Sequence, residues 1–359
     1  MRLMLGRLGS EIIPNWNSLA MIVDADAHVI ESERTWDYLE PHEQKYRPSA
    51  LTGSNGEKMW LVDGRLFSRE AGNLDLPIEV RQLEDLETRA SIMDESDINI
   101  QVLYPTLFLQ GFTSNRPEIQ IALSRSYNRW LADIWKENNR FRWAVLPPLL
   151  DMDAAIEEVE FGHKNGACAI FMRGIEGEWL LNDPYLEPLY QKADELNMAI
   201  GVHAGNGNDD FKRVLFRKDL YFFGITPILA GFNALSTSAV TGNYKNLRFG
   251  FIESGSQWVP YLVREAARRH EFIGTKGVVN SMETFLEDNR FYVTARTDDD
   301  LPYVLKYAGK NTLMLGTDFG HEDPASELDA FDKLRNDNSI GSDVIDGILS
   351  KNAIAFYNL

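Results

Sequence analysis

Residues 21–29 read MIVDADAHV, a short apolar run broken by two carboxylates and an imidazole at a spacing of two. Side chains two apart on an extended strand point the same way, so Asp26 and His28 can converge on one point; Asp24 shares that alternation, but its deeper place in the strand suits a structural or supporting role better. Working outward, seven more runs of similar length follow: INIQVLYP (98–105), FRWAVLPP (141–148), ACAIFMRG (167–174), MAIGVHAG (198–205), LRFGFIES (247–254), FYVTA (291–295) and TLMLGTD (312–318). Each reads as a strand, and together they predict an α/β chain of repeated βα units around a parallel sheet.

Longer amphipathic stretches at 116–139, 153–166, 183–197 and 258–272 read as the intervening helices. Asp183-Pro184 and the segment from Trp258 to Pro260 supply helix starts with proline in the first turn, and Gly166 a helix stop. Eight strands suit a closed (β/α)8 barrel, while the periodicity alone leaves an open doubly wound sheet available. Residues 1–20 are broken by Gly6, Gly9, Glu11 and Pro14 and read as an irregular extension before one domain over 21–359. Residues 44–90 do not fit a βα unit. There KMWLVDGRLFSRE turns at Asp63-Gly64, which predicts a small β-ribbon inserted after the first strand and set over the barrel mouth.

Composition narrows the function. Of 359 residues, 44% are hydrophobic and 25% charged, a globular balance able to bury a large core. The net charge of −18 repels polyphosphate and offers no basic stripe, so nucleic acid is an unsuitable partner. Cys168 is the only cysteine, which excludes an internal disulfide and a cysteine-rich zinc module and fits a cytoplasmic setting. No run approaches the roughly 18–20 apolar residues that span a bilayer.

His203 ends the run MAIGVHAG, where Gly205 and Gly207 free the backbone to approach a ligand, and Asp318 ends the last run in LMLGTDFGHED. Singly, each has a structural competitor: a buried histidine bonded to a carbonyl, or a helix cap. Together with Asp26 and His28 they all fall at the C-terminal ends of strands, where barrel enzymes gather their chemistry. Two imidazoles and two carboxylates without thiolate suit a divalent Zn, Mn, Fe or Co ion.

The strings VDADAHVIE (23–31), GVHAG (201–205), FIESGSQWVPYL (251–262) and LGTDFGHED (315–323), in this order, resemble the amidohydrolase superfamily, in its amidohydrolase-2 or ACMSD-like branch of metal-dependent hydrolases and decarboxylases. The resemblance runs from about residue 21 to the C terminus and implies a distorted (β/α)8 TIM barrel. It also implies metal ligation by Asp26, His28, His203 and Asp318. Two departures stand out: decarboxylases of this branch often open with His-x-His or Glu-x-His, and they commonly carry a histidine at the end of strand six, where this chain has Glu253. Glu253 could ligate a second metal or act as a base, and His321 could complete that second site or carry a proton.

Arg173, at the end of FMRG, could hold a substrate carboxylate or pair with Glu253, and Tyr104 and Trp258 could line the pocket or simply pack. Glu31 could orient a ligand or cap its loop. Arg142, His42, His163 and His270 carry no assigned chemistry. The preferred expectation is hydrolysis of a small carboxylate-bearing molecule by metal-activated water, with Asp318 as first candidate base and Glu253 as second, on one or two metals. The alternative is nonoxidative decarboxylation of an aromatic or unsaturated acid. Further options are oxygen chemistry at a dinuclear centre and an inactive partner subunit. The resemblance also implies a homo-oligomer.

Overall fold

The computed structural model describes residues 21–69, 76–214 and 220–359. The extension at 1–20 lies outside them. All eight sequence-predicted strands form: β1 (Val23–Val29), β2 (Ile100–Pro105), β3 (Phe141–Val145), β4 (Ala167–Arg173), β5 (Ala199–His203), β6 (Phe249–Ile252), β7 (Phe291–Ala295) and β8 (Leu313–Leu315). They pair in parallel in chain order, each with the next. The chain just past β8 closes the circle on β1: His28 N–H donates to Phe319 O at 2.7 Å and Asp318 N–H to Asp26 O at 2.9 Å. This is the distorted (β/α)8 barrel, not the open sheet.

Helices fill the outer layer: α1 (Leu86–Glu95), α2 (Pro117–Glu137), α3 (Met152–Lys164), α4 (Glu187–Glu195), α5 (Leu220–Ser236), α6 (Val259–Ile273) and α7 (Leu301–Ala308). The expected punctuation operates. Asp183 caps the turn that leads into α4 by accepting from Tyr185 N–H, α6 starts at Trp258 with proline in its first turn, and Gly274 ends it in the left-handed region at φ +62°. None of the helices among the described residues is long and apolar enough to cross a membrane.

The inserted ribbon has three strands where the sequence suggests two. Ser49–Thr52 pairs with Lys58–Val62, which turns through Asp63 (φ +46°) and Gly64 (φ +75°) into Arg65–Ser68. Two successive positive φ values are the primed turn that an Asp-Gly pair favours. The ribbon rests on segments that follow β2 and β5: Arg65 donates to Phe112 O and Asp209, and Ser114 Oγ to Asp63.

A register shift in β1 between Asp24 and Ala27 re-aims its side chains. Asp24 therefore parts company with Asp26 and His28. It accepts from Thr317 N–H (2.9 Å), Thr317 Oγ1 (2.6 Å) and Gln101 Nε2 (3.1 Å), and Gln101 is held in turn by Arg89 of α1. Asp24 is a buried clasp across β1, β2 and the chain just past β8, while Asp26 and His28 face His203.

Candidate metal centre

Each strand end delivers one piece of the centre. His28 Nε2 lies 3.4 Å from Asp26 Oδ1, 3.4 Å from Glu253 Oε2 and 3.3 Å from Asp318 Oδ1. His203 Nε2 lies 3.1 Å from Asp26 Oδ1 and 3.5 Å from Glu253 Oε2, and His321 Nδ1 lies 2.9 Å from Asp318 Oδ1. All are buried except Glu253, which is partly open. Two overlapping sets, Asp26–His28–His203–Glu253 and His28–Glu253–Asp318–His321, each offer donor atoms within 4.8 Å of one another.

Hydrogen bonding on the far side of each imidazole fixes which nitrogen is bare. His28 Nδ1 faces Pro105 O (3.2 Å) and His203 Nδ1 faces Ala204 O (3.0 Å); a carbonyl only accepts, so both Nδ1 atoms carry the proton. His321 Nε2 meets Thr106 Oγ1 (2.8 Å), whose hydrogen goes to Val29 O, so His321 donates there. With all three imidazoles neutral, three bare ring nitrogens thus point at three carboxylates, with no proton donor between them among the described residues.

That arrangement needs a cation. Among the described residues, His28 Nε2, Glu253 Oε2 and Asp318 Oδ1 are buried without a hydrogen-bond partner, the mark of atoms suited to ligate a metal. Ligands about 2.1 Å from a shared tetrahedral ion lie roughly 3.4 Å apart, the spacing seen here. The donor set fits a divalent metal.

Protons are the other way to neutralise the cluster. Burial opposes charging His28 and His203, yet the facing carboxylates outweigh it and hold both pKa values above the ordinary imidazole range. Burial would raise Asp26, but His203 and His28 hold it well below the usual carboxylate range. Burial and the nearby Asp318 push Glu253 up to about 8. His321 is lowered by burial and by His28, on which its ring stacks at 3.8 Å.

Backbone strain gathers at the same place. Glu253 (φ +58°) and Asp318 (φ +54°) both adopt the left-handed region just beyond β6 and β8, a conformation costing a side-chain-bearing residue about 1–2 kcal/mol. The surroundings hold them there. Glu253 N–H donates to Thr294 Oγ1 (2.8 Å), and Asp318 Oδ2 accepts from Ser326 Oγ (2.6 Å).

The remaining sequence candidates fall into other places. Arg173 does not meet Glu253, and its fork is not free: Nε and Nη2 grip the buried Glu176, and Nη1 donates to Phe108 O. Tyr104 lies beneath His203, its ring 4.9 Å away and its hydroxyl on Tyr357. Trp258 donates to Gly255 O and packs on Phe232 and Phe251. Glu31 accepts from Thr106 N–H and Leu107 N–H, bracing the end of β2 beside the centre. Sequence reasoning missed Thr106, Ser326 and Arg296. The last lines a cavity of ≈ 20 Å³, room for about one water, together with Asp26, Glu253 and Asp318.

A closed parallel barrel with a His/Asp/Glu centre at its C-terminal mouth defines the class of metal-dependent barrel proteins. The chain belongs to the amidohydrolase family: residues 23–359 match the family model Amidohydro_2, Amidohydrolase. A curated relative, 2-amino-3-carboxymuconate-6-semialdehyde decarboxylase of Dictyostelium discoideum, is 22% identical over 323 residues, 83% of this chain and 81% of the relative. Two solved structures share the fold. An amidohydrolase from Mycobacterium avium subsp. paratuberculosis K-10 has a TM-score of 0.76 at 18% identity, covering 95% of this chain and 98% of its own. The 5-carboxyvanillate decarboxylase of Novosphingobium aromaticivorans, solved with manganese and 4-hydroxy-3-methoxy-5-nitrobenzoic acid, has a TM-score of 0.66 at 14% identity, covering 95% and 96%.

Proposed function

We propose that this chain is a metal-dependent carboxy-lyase that removes a carboxyl group, without oxidation, from a small aromatic or unsaturated acid. The observation that carries the proposal is the convergence of three bare imidazole nitrogens on three carboxylates at the barrel mouth. The decarboxylase relatives supply the reaction class. Asp26, His28, His203 and Asp318 would hold the metal, with Glu253 and His321 available to a second ion. When bound, the metal supplies Lewis-acid charge for a chelating carboxylate and its neighbouring oxygen.

The chain's own residues manage the proton. In the reaction the bond between the ring or alkene carbon and the carboxylate breaks, its electron pair stays on carbon and takes a proton, and CO2 leaves. Asp318 and His321, paired at 2.9 Å, form the proton-holding couple, and Thr106 fixes the imidazole's orientation. Tyr104 closes the floor, and the burial of the centre keeps bulk water from the carbon.

Glu253 favours hydrolysis as the second reading, because a carboxylate stands where decarboxylases of this branch commonly carry histidine. The two part in product analysis. Incubating the metal-loaded protein with a panel of hydroxybenzoates and unsaturated acids in 18O-water should release CO2 and leave the products unlabelled. Uptake of 18O into a new carboxylate, with no CO2, would replace the lyase by the hydrolase.

A further inference from the structure

An acid approaching the mouth of this one-water cavity meets Asp26, Glu253 and Asp318 on a chain whose net charge is −18. A metal in the centre would offset part of that repulsion, and a cation on the cavity wall would offset more of it during approach. Among the described residues lining that cavity, Arg296 alone is cationic. We infer that Arg296 is the docking residue for the substrate carboxylate, an assignment that rests on the acid substrate proposed above.

Local structure sets Arg296 for this role. It follows β7 directly, and its N–H donates to Asp299 Oδ2 at 2.9 Å. The same oxygen accepts from Ser256 N–H (2.8 Å) and Oγ (2.7 Å), which ties the base of Arg296 to the loop that presents Glu253. Gly255, at φ +58°, leaves room beside the arm: a Cβ there would lie 3.2 Å from Arg296 Cδ.

The guanidinium is lightly held. Its Nε contacts Asp298 Oδ1 at 3.1 Å, and Asp298 is 74% exposed. A pair this open to water is weak and readily exchanged for an incoming carboxylate. A guanidinium also carries several N–H donors in one plane, so it can hold the carboxylate oxygen that the metal leaves free, with better-fixed geometry than an ammonium. Arg173 offers the contrast. Its fork is already committed to a carboxylate that is itself buried, so a ligand would have to displace Glu176 and leave it unpaired.

Salicylate and its uncharged amide, salicylamide, separate carboxylate docking from general binding. Titrating metal-loaded wild type, Arg296→Gln and Arg296→Lys by calorimetry, with metal content measured on each, should give a 10- to 100-fold weaker salicylate Kd for Arg296→Gln. Arg296→Lys should be partly restored, salicylamide should change less than 2-fold, and metal content should stay constant. Equal salicylate affinity in wild type and Arg296→Gln, or no salicylate binding by wild type, overturns the assignment. Because binding is read without turnover, a failed lyase assay beside an intact Arg296 effect would sink the reaction and leave the docking residue standing.

Discussion

His321 Nε2 and Thr106 Oγ1 stand 2.8 Å apart, and the hydroxyl hydrogen is already committed to Val29 O. Thr106 thus dictates that His321 turns a bare Nδ1 toward Asp318. Thr106→Val keeps the shape and removes the acceptor, leaving a buried ring N–H without a partner. Supporting bonds of this kind are worth about 10- to 100-fold in metal affinity. A Thr106→Val protein should bind metal at least about 10-fold more weakly in competition with a chelator, and Thr106→Ser should restore it. Unchanged affinity in Thr106→Val would remove His321 from the centre.

Glu31 supplies a pH signature. Burial raises its pKa from 4.5 to about 7, against the pull of the Leu107 and Thr106 amides. Between those values the folded chain keeps a proton that the unfolded chain releases, so stability falls as pH rises through the window, by about 3 kcal/mol when complete. Glu31→Gln cannot titrate. Urea unfolding of metal-free protein between pH 4.5 and 8 should show wild type losing ground to Glu31→Gln as pH rises. Parallel curves for the two would mean Glu31 keeps its charge throughout.

Much of this architecture is legible in the sequence because period-two apolar runs, Asp-Gly turns and proline-led helix starts are local signals. His28, His203 and Asp318 could be read because each falls at or near the end of a run, and Asp26 because it lies two residues before His28 on the same strand. The deeper place of Asp24 in the strand points to a structural role, although nothing local announces the extra residue that turns it away from Asp26. The commitment of Arg173 had a signal, a glutamate three residues on at Glu176, but its meaning depends on the two being buried together. Thr106, Ser326 and Arg296 carry no local mark. They reach the centre only because closing the cylinder brings separate loops to one mouth.

Gly316 shows how tightly that closure is made. A Cβ placed on it would lie 2.3 Å from Asp26 Cβ and 2.9 Å from Asp26 N, both rigid parts of the neighbouring strand. Gly316→Ala must push β1 and β8 apart exactly where Asp318 N–H bonds Asp26 O. Overpacking of this sort costs about 1–3 kcal/mol. Denaturant unfolding should give a loss in that range, with metal affinity at least about 10-fold lower because two of the proposed ligands shift together. A Gly316→Ala protein with native stability and metal affinity would contradict the packing described.

Metal and protons compete for one cluster, so metal should stabilise the fold in a pH-dependent way. An ion held by the folded chain alone, at about 1,000 times its Kd, adds roughly 4 kcal/mol. Chelation should therefore lower Tm by roughly 5–10 °C, and added Mn2+ or Zn2+ should restore it. His28 and His203 gain protons more readily than ordinary imidazoles when no metal is bound. The metal-dependent gain in Tm should then shrink as pH falls, since binding must expel those protons. His203→Ala should abolish most of the gain at every pH. A metal response that is flat with pH, or intact in His203→Ala, would place the ion somewhere other than this barrel mouth.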